Sequence, residues 1–168
     1  MAVTSAAPLV YKPQEKQLLW HACPAYESGY GGTKGGGKTL ALMMEALRYV
    51  YHPAYRGIIF RRSYPRLQEI MDRAWQWYPE TGAHWTGEER SWRWPNGAKL
   101  YMRHCEHEED KRNYQGHEWQ GLFFDQLEEF TSTQIEFLMA QLRSNVPELQ
   151  PYVRSTFNPG GVSHAWVK

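Results

Sequence analysis

The residues best suited to chemistry lie between Gly32 and Thr39, in a segment that reads Gly-Thr-Lys-Gly-Gly-Gly-Lys-Thr. It fits the phosphate-binding loop pattern G-x-x-x-x-G-K-S/T at every fixed position. Glycines let the backbone curl so that several N–H groups point at one phosphate. A flexible glycine-rich loop is the alternative, but the helical apolar pattern from Leu40 to Tyr51 follows directly and favours the phosphate loop. The expected nucleotide-binding residues are Gly32, Thr33, Lys34, Gly35, Gly36, Gly37, Lys38 and Thr39.

Two side chains of this loop have specific roles in the expected chemistry. Lys38 should reach the β- and γ-phosphates of a nucleoside triphosphate as a point charge, and the Thr39 hydroxyl should ligate Mg²⁺. A glutamine shortly before such a loop can read an adenine edge, because its amide both donates and accepts a hydrogen bond. Gln17 is the first candidate and Gln14 the second, and a solvated glutamine at a helix start is an equally good interpretation of either.

An apolar run from Trp119 to Phe124 ends in an acid at Asp125. This pattern is typical of a buried Walker B strand, and we expect that strand to lie beside the phosphate-loop strand. Asp125 would then meet the Mg²⁺ shell of the nucleotide. An aspartate in an ordinary strand-end turn is the alternative, but the position after a phosphate loop favours the first reading.

The remaining segments predict alternating strands and helices. Residues 57–62 and 152–157 have strand character, helices should begin near Pro65 and near Thr131 or Thr133, and Asn96-Gly97 predicts a β-hairpin around residues 91–103. Before the phosphate loop only residues 25–28 are expected to pair in a sheet, since Pro24 interrupts the segment. The helix after the loop should run to His52-Pro53. Together these elements predict an α/β fold with a mostly parallel central sheet flanked by helices.

Composition narrows the possible functions. The chain has 168 residues, a formal net charge of +1 and two cysteines, so any contact with nucleic acid must be local or shared between subunits. No segment approaches the roughly 18 apolar residues of a membrane helix. His104, Cys105 and His107 do not match a zinc pattern, and a solvated loop over residues 104–118 is the favoured interpretation.

The order of these segments resembles the large terminase subunits of tailed bacteriophages. The matching segments are Gly-Gly-Thr-Lys-Gly-Gly-Gly-Lys-Thr at 31–39, Phe-Asp-Gln-Leu-Glu-Glu-Phe at 124–130, Gln-Leu-Arg-Ser at 141–144, and Thr-Phe-Asn-Pro-Gly-Gly at 156–161 before His164-Ala165-Trp166. The resemblance extends from Gln17 to Trp166 and is looser between residues 64 and 110.

The resemblance implies a P-loop NTPase of the additional-strand, catalytic-glutamate class. It implies the ATPase domain of a DNA-packaging motor that hydrolyses Mg-ATP to move double-stranded DNA into a procapsid. Residues 1–12 would form a flexible arm and residues 13–168 the ATPase domain, without the C-terminal nuclease domain. The implied partners are double-stranded DNA, the portal protein of the procapsid, the small terminase subunit and further copies in a ring. We expect a monomer in isolation, in the host cytoplasm and transiently at the portal vertex, with no membrane contact.

The resemblance also assigns roles to individual residues. Lys34 takes the place of an additional basic residue that contacts the γ-phosphate and couples hydrolysis to movement. The segment from Thr156 to Asn158 matches the coupling motif, and its polar strand end could sense the γ-phosphate. An ordinary Asn-Pro turn is the other interpretation of Asn158.

Gln126 departs from the family pattern, which has a glutamate directly after the Walker B aspartate. An amide cannot accept the proton of the attacking water as a carboxylate does. The favoured hypothesis is a Glu-to-Gln change that leaves ATP bound but hydrolysed poorly. The alternative is that Gln126 is natural and that Glu128 or Glu129 acts as the base.

A trans-acting arginine completes the expected site, since P-loop motors borrow one from a neighbouring subunit. Arg112 is the candidate, with Arg61, Arg62 and Arg143 as rivals. Three other functions remain open: a helicase-like or RecA-like ATPase, a nucleotide-regulated assembly module with little turnover, and a small-molecule kinase. The last would need a lid with several arginines, and the 103–112 segment supplies only Arg103 and Arg112.

Overall fold

A seven-stranded sheet forms the centre of the computed structural model, which describes residues 9–32, 35 and 37–159. Its strands are β1 (Glu27–Gly31), β2 (Arg56–Arg61), β3 (His84–Thr86), β4 (Ser91–Arg93), β5 (Lys99–His104), β6 (Gly121–Phe124) and β7 (Tyr152–Phe157). The helices are α1 (Glu15–His21), α2 (Lys38–Glu45), α3 (Tyr64–Trp77) and α4 (Ser132–Met139). Short 3-10 helices cover Pro79–Thr81, Glu108–Tyr114 and Leu127–Glu129.

The strand order is β1-β7-β6-β2-β5-β4-β3, and every pairing from β1 to β5 is parallel. The hairpin β4–β5 and the short strand β3 add an antiparallel edge. The predicted α/β class and the hairpin around residues 91–103 are therefore confirmed. Gly97 lies in the turn with φ of 102°, a conformation that glycine adopts without a Cβ clash.

The prediction that the Walker B strand β6 lies beside the phosphate-loop strand β1 was wrong. β7 lies between β1 and β6, so that Ser155 pairs with Gly29 on one side and with Phe124 on the other. The Walker B strand β6 is therefore one strand removed from β1. This inserted strand places the end of β7 between the two phosphate-site strands.

The bounds of β1 also differ from the prediction of residues 25–28. The strand begins at Glu27, beyond the proline, and continues to Gly31. The ring of Phe157 on β7 lies over Gly29 and Gly31, and an added Cβ would come within 2.7 Å and 2.5 Å of it, respectively. Glycine at both positions lets β1 pair with β7 along its whole length.

Two apolar layers fill the space on either side of the sheet. On one side α2 and α3 pack on the sheet through buried residues such as Leu42 and Ile70, with Trp92 fully buried beneath them. On the other side α4 packs against Phe60 and Phe124. Among residues 9–32, 35 and 37–159, no helix has the length and apolarity needed to span a bilayer.

Two helices refine the sequence predictions. α2 ends at Glu45 rather than near His52. Beyond it, backbone hydrogen bonds between residues three apart, from Arg48 to Glu45 and from Val50 to Leu47, replace the α-helical pattern. The Arg48 side chain also donates to the Glu45 carboxylate. At α4, Thr131 is the N-cap and exchanges hydrogen bonds with Gln134. The pair forms a capping box, so of the two predicted starts, Thr131 and Thr133, the helix uses Thr131.

Candidate functional site

The phosphate loop connects the end of β1 to the start of α2. Gly35 and Gly37 have φ values of 90° and 65°, a left-handed conformation that glycine adopts at little cost. A Cβ on Gly37 would also lie 3.1 Å from the Gln17 amide nitrogen. Lys38 is the first residue of α2, and its Nζ donates to the Gly32 carbonyl at 2.9 Å. Thr33, Lys34 and Gly36 lie outside the described residues.

Asp125 is the meeting point of the phosphate loop and the sheet. It follows β6, is almost fully buried, and accepts hydrogen bonds from Thr39 Oγ1 at 3.1 Å and 3.2 Å. Thr156, on β7, donates its hydroxyl to Asp125 Oδ1 at 2.6 Å. Arg61, at the end of β2, places Nε 3.1 Å from Oδ2 as an ion pair, without the alignment of a hydrogen bond.

These contacts bring together Thr39, Asp125 and Thr156, which lie far apart in the sequence. A hydroxyl and a carboxylate in direct contact at a phosphate loop are the protein ligands that suit Mg²⁺, which otherwise keeps waters and substrate phosphates as ligands. Within the described residues no group of three His, Cys, Asp or Glu side chains could enclose a metal. The donor set therefore fits a nucleotide-bound Mg²⁺ better than a closed metal centre.

Gln126 has an unusual backbone conformation, with φ of 60° and ψ of 66°. Its N–H donates to Thr156 Oγ1 at 3.1 Å, and its side-chain Oε1 accepts from Arg66 at 3.2 Å. Arg66 also forms an ion pair with Glu129, which in turn accepts from Arg61 at 3.3 Å. A continuous polar network therefore links Asp125 to Gln126 through two arginines.

Glu128 and Asn158 form a second contact between the Walker B turn and the end of β7. Asn158 Nδ2 donates to Glu128 Oε1 at 3.1 Å. The other Glu128 oxygen and Asn158 Oδ1 are buried without a hydrogen-bond partner among the described residues. Burial raises the pKa of Glu128, and the hydrogen bonds from Asn158 offset only part of this effect.

A pocket of about 280 Å³ opens over these residues. It is lined by Gly35, Gly37, Lys38, Thr39, Arg73, Asp125, Gln126, Thr156 and Asn158. The structure thus collects at one pocket the candidates from the ends of β6 and β7 and the described phosphate-loop residues other than Gly32. Glu128 and Glu129 are not among its lining residues.

A second pocket, of about 300 Å³, adjoins the phosphate loop on the α1 side. Gln14 and Gln17 line it together with Gly37, Leu40 and Trp77. Gln17 is buried, and its amide donates to the Gly37 carbonyl at 3.4 Å and accepts from the Gln14 N–H at 2.9 Å. Both glutamine candidates therefore lie next to the phosphate loop.

The candidate trans-acting arginines are dispersed. Arg112 is 73% exposed in a 3-10 helix and lies 3.6 Å from Glu109, away from the lining of the phosphate pocket. Arg62 contacts Gln134, and Arg143 pairs with Glu118 at 2.7 Å. Arg61 is buried and forms an ion pair with Asp125, a position that does not suit action on a neighbouring subunit.

Two residues of the site, Arg66 and Arg73 on α3, were not predicted from the sequence. Their only signal in the sequence was a position after the strand that ends in Arg61 and Arg62. Nothing in the spacing distinguished them from solvated helix arginines. Lys38 and Arg73 line the same pocket as Asp125, Thr39 and Thr156, so cationic groups suited to a polyphosphate and oxygen ligands suited to its metal ion are found together.

The chain is similar to known proteins in its sequence pattern and in its fold. Residues 30–167 match the family model for the terminase large subunit, T4likevirus-type, N-terminal. The large terminase ATPase domain of Thermus phage P74-26 is similar in structure, with a TM-score of 0.68 and 16% identity over 90% of this chain and 66% of that one. The large terminase of bacteriophage HK97 has a TM-score of 0.70 and 10% identity over 98% of this chain and 37% of that one. The comparison with curated proteins returned no match.

Proposed function

The chain belongs to the terminase large subunit family, T4likevirus-type, N-terminal, and on that premise we propose that it is the ATPase domain of a viral DNA-packaging motor. The observation that carries the proposal is the contact of Thr39 with Asp125, which joins the phosphate loop to the Walker B position at 3.1 Å. The chain spans 66% and 37% of the two solved terminase chains. We therefore propose, for this chain, that it hydrolyses ATP, takes part in moving DNA and binds the partners named below.

The nucleotide would lie across the two pockets beside the phosphate loop. Lys38 and the loop N–H groups bind the phosphates, with Gly32, Thr33, Lys34, Gly35, Gly36 and Gly37 as the loop residues. Gln17 reads the base from the adjoining pocket. Thr39 and Asp125 would hold Mg²⁺, which neutralises phosphate charge when it is bound.

Gln126 sets the expected rate of the reaction. It lines the phosphate pocket, where a carboxylate would accept a proton from the attacking water, and an amide cannot do so. We therefore propose that this chain binds ATP but hydrolyses it slowly. The rival base, Glu128, is directed to Asn158 instead, and Glu129 to two arginines.

We propose a coupling role for Thr156 and Asn158, which is supported by their position at the end of β7. Thr156 contacts both Asp125 and the Gln126 backbone, so a shift of β7 would change both hydrogen bonds. Lys34, outside the described residues, is proposed as the additional γ-phosphate contact. Arg112 is proposed as the arginine that acts in trans on the nucleotide of a neighbouring subunit, since its side chain is exposed.

The partners of the proposal are double-stranded DNA, the portal protein of the procapsid, the small terminase subunit and further copies in a ring. Residues 13–168 would form the ATPase domain and residues 1–12 an arm, of which residues 1–8 lie outside the described residues. The place of action would be the host cytoplasm and the portal vertex.

A steady-state ATPase assay with Mg²⁺ tests the proposal, in the presence and absence of DNA and portal-bearing procapsids. We expect Mg-ATP binding with low turnover that Lys38→Ala abolishes. Failure of the chain to bind Mg-ATP would refute the function. The second candidate function is an assembly module with little turnover, and only Gln126 favours it. It would be supported if ATP caused rings to form while Gln126→Glu gave no gain in turnover.

A further inference from the structure

One face of α3 runs along the whole proposed nucleotide site. Arg66, Arg73 and Trp77 are spaced by seven and four residues, so they share one face of the helix. Arg66 contacts Gln126 at the Walker B end, and Trp77 lines the pocket of Gln17 at the other. At 1.5 Å per residue, Arg73 lies about 6 Å along the helix axis from Trp77 and about 10 Å from Arg66.

Arg73 is the member of this face that lines the phosphate pocket. Arg73 lies between the pocket of Gln17 and Gln126. A nucleotide bound across the two pockets would place its phosphates in this region. Gly35 and Lys38, which belong to the phosphate loop, line the same pocket. A guanidinium in that place faces the part of the ligand that carries most of the negative charge.

The charge of Arg73 is available for a ligand. The side chain is exposed, and within the described residues it has no hydrogen bond or ion pair. The acid next to it on the helix, Asp72, accepts from Gln68 at 2.9 Å. Arg66, in contrast, is already engaged by Gln126 and Glu129.

We propose that Arg73 binds the β- and γ-phosphates of the nucleotide from within the same subunit. Its planar guanidinium can give two parallel hydrogen bonds to phosphate oxygens, which a lysine cannot reproduce. This inference rests on the proposed function, because it requires a nucleoside triphosphate in the pocket. It differs from the role of Arg112, which would act on a neighbouring subunit.

Titration of the purified chain with fluorescent ATP, ADP and AMP in Mg²⁺ tests the inference. Arg73→Ala should weaken ATP binding about ten- to hundredfold, the scale of a charge-assisted hydrogen bond, with a smaller loss for ADP and none for AMP. Arg73→Lys should lose less than Arg73→Ala. Gln76→Ala, at an exposed position on the same helix outside both pockets, is the matched control and should bind all three as wild type does.

Two results would overturn the inference while leaving the proposed function intact. The first is a wild-type chain that binds Mg-ATP while Arg73→Ala binds it as tightly as Gln76→Ala does. The second is an equal loss for ATP, ADP and AMP, which would indicate a change in the fold rather than a lost phosphate contact. A wild-type chain that binds no Mg-ATP would overturn both proposals.

Discussion

Replacing Gln126 with glutamate should raise the rate of ATP hydrolysis strongly. Gln126 lines the phosphate pocket, and the replacement keeps its shape while adding a group that can accept a proton. General-base assistance contributes about 10²–10⁴-fold to a rate. At 1.36 kcal/mol per tenfold change, the barrier should fall by about 2.7–5.4 kcal/mol.

The neighbourhood of Gln126 should not cancel this gain. Arg66 donates to the Gln126 side chain at 3.2 Å and would form an ion pair with a glutamate there. The Arg66 side chain is 51% exposed, and an ion pair at such a position contributes about 1 kcal/mol or less. This stabilisation of the resting carboxylate is smaller than the expected gain, so the new base should remain effective and ionised at neutral pH.

Single-turnover and steady-state phosphate release, each with saturating Mg-ATP, measure the effect. Lys38→Ala in the Gln126→Glu background gives the rate without a working phosphate site. Glu128→Gln in the original background tests the rival base. Unchanged turnover in Gln126→Glu, together with loss of the residual activity in Glu128→Gln, would refute our reasoning and assign the base to Glu128.

Three further predictions test other parts of the structure. Thr156→Val removes buried hydrogen bonds to Asp125 and from the Gln126 N–H. The free energy of unfolding in urea should therefore fall by about 1–3 kcal/mol, and Mg-ATP binding should weaken. Unchanged values of both would show that the hydroxyl is dispensable. Arg112→Ala in the Gln126→Glu background, mixed with Gln126→Glu subunits on portal-bearing procapsids, should lower ATPase activity more than dilution does, whereas a loss proportional to its fraction would exclude action in trans. Burial alone would raise the pKa of Glu45, but hydrogen bonds from a neighbouring histidine and arginine lower it. Its contribution to stability should therefore be present above the unfolded pKa of about 4.3 and lost as the pH falls through the folded value. The stability difference between wild type and Glu45→Gln in urea should accordingly shrink on acidification, and a difference independent of pH would contradict this account.

The position of the site could be predicted from sequence because its residues sit at the ends of elements. Lys38 follows a glycine loop, Asp125 follows an apolar run, and Thr156 lies one residue before the end of a third strand. The carboxyl ends of parallel strands meet at one edge of a sheet, so local patterns alone place these residues together. The hairpin at Asn96-Gly97 was predictable for a similar reason, since its turn is specified by adjacent residues.

The lateral order of the strands could not be predicted in this way. Apolar periodicity shows that a segment is a buried strand but not which strand it pairs with. The interpretation of Asp125 assumed that β6 lies beside β1, and β7 occupies that place. A contact between Gly29 and Ser155 depends on residues far apart in the chain, and no local signal reports it.

The arginines of the site show the same limit at the level of single side chains. In the sequence, Arg61 at a strand end and Arg73 on a helix are both compatible with solvated surface charges. In the structure Arg61 is 5% exposed beside Asp125, whereas Arg73 is exposed yet lines the phosphate pocket. What separates the two is the packing of β2 and α3 around the loop, which is a tertiary property.

The unexpected place of β7 explains how one residue can contact both Asp125 and Gln126. Because β7 lies between β1 and β6, the Thr156 hydroxyl reaches the Asp125 carboxylate and the Gln126 N–H together. A strand at the outer edge of the sheet could not lie between the phosphate-loop strand and the Walker B strand. Asn158, two residues farther on, extends the same strand end to the Glu128 carboxylate. The coupling that we propose would therefore act through these hydrogen bonds, from Asp125 and Gln126 into β7.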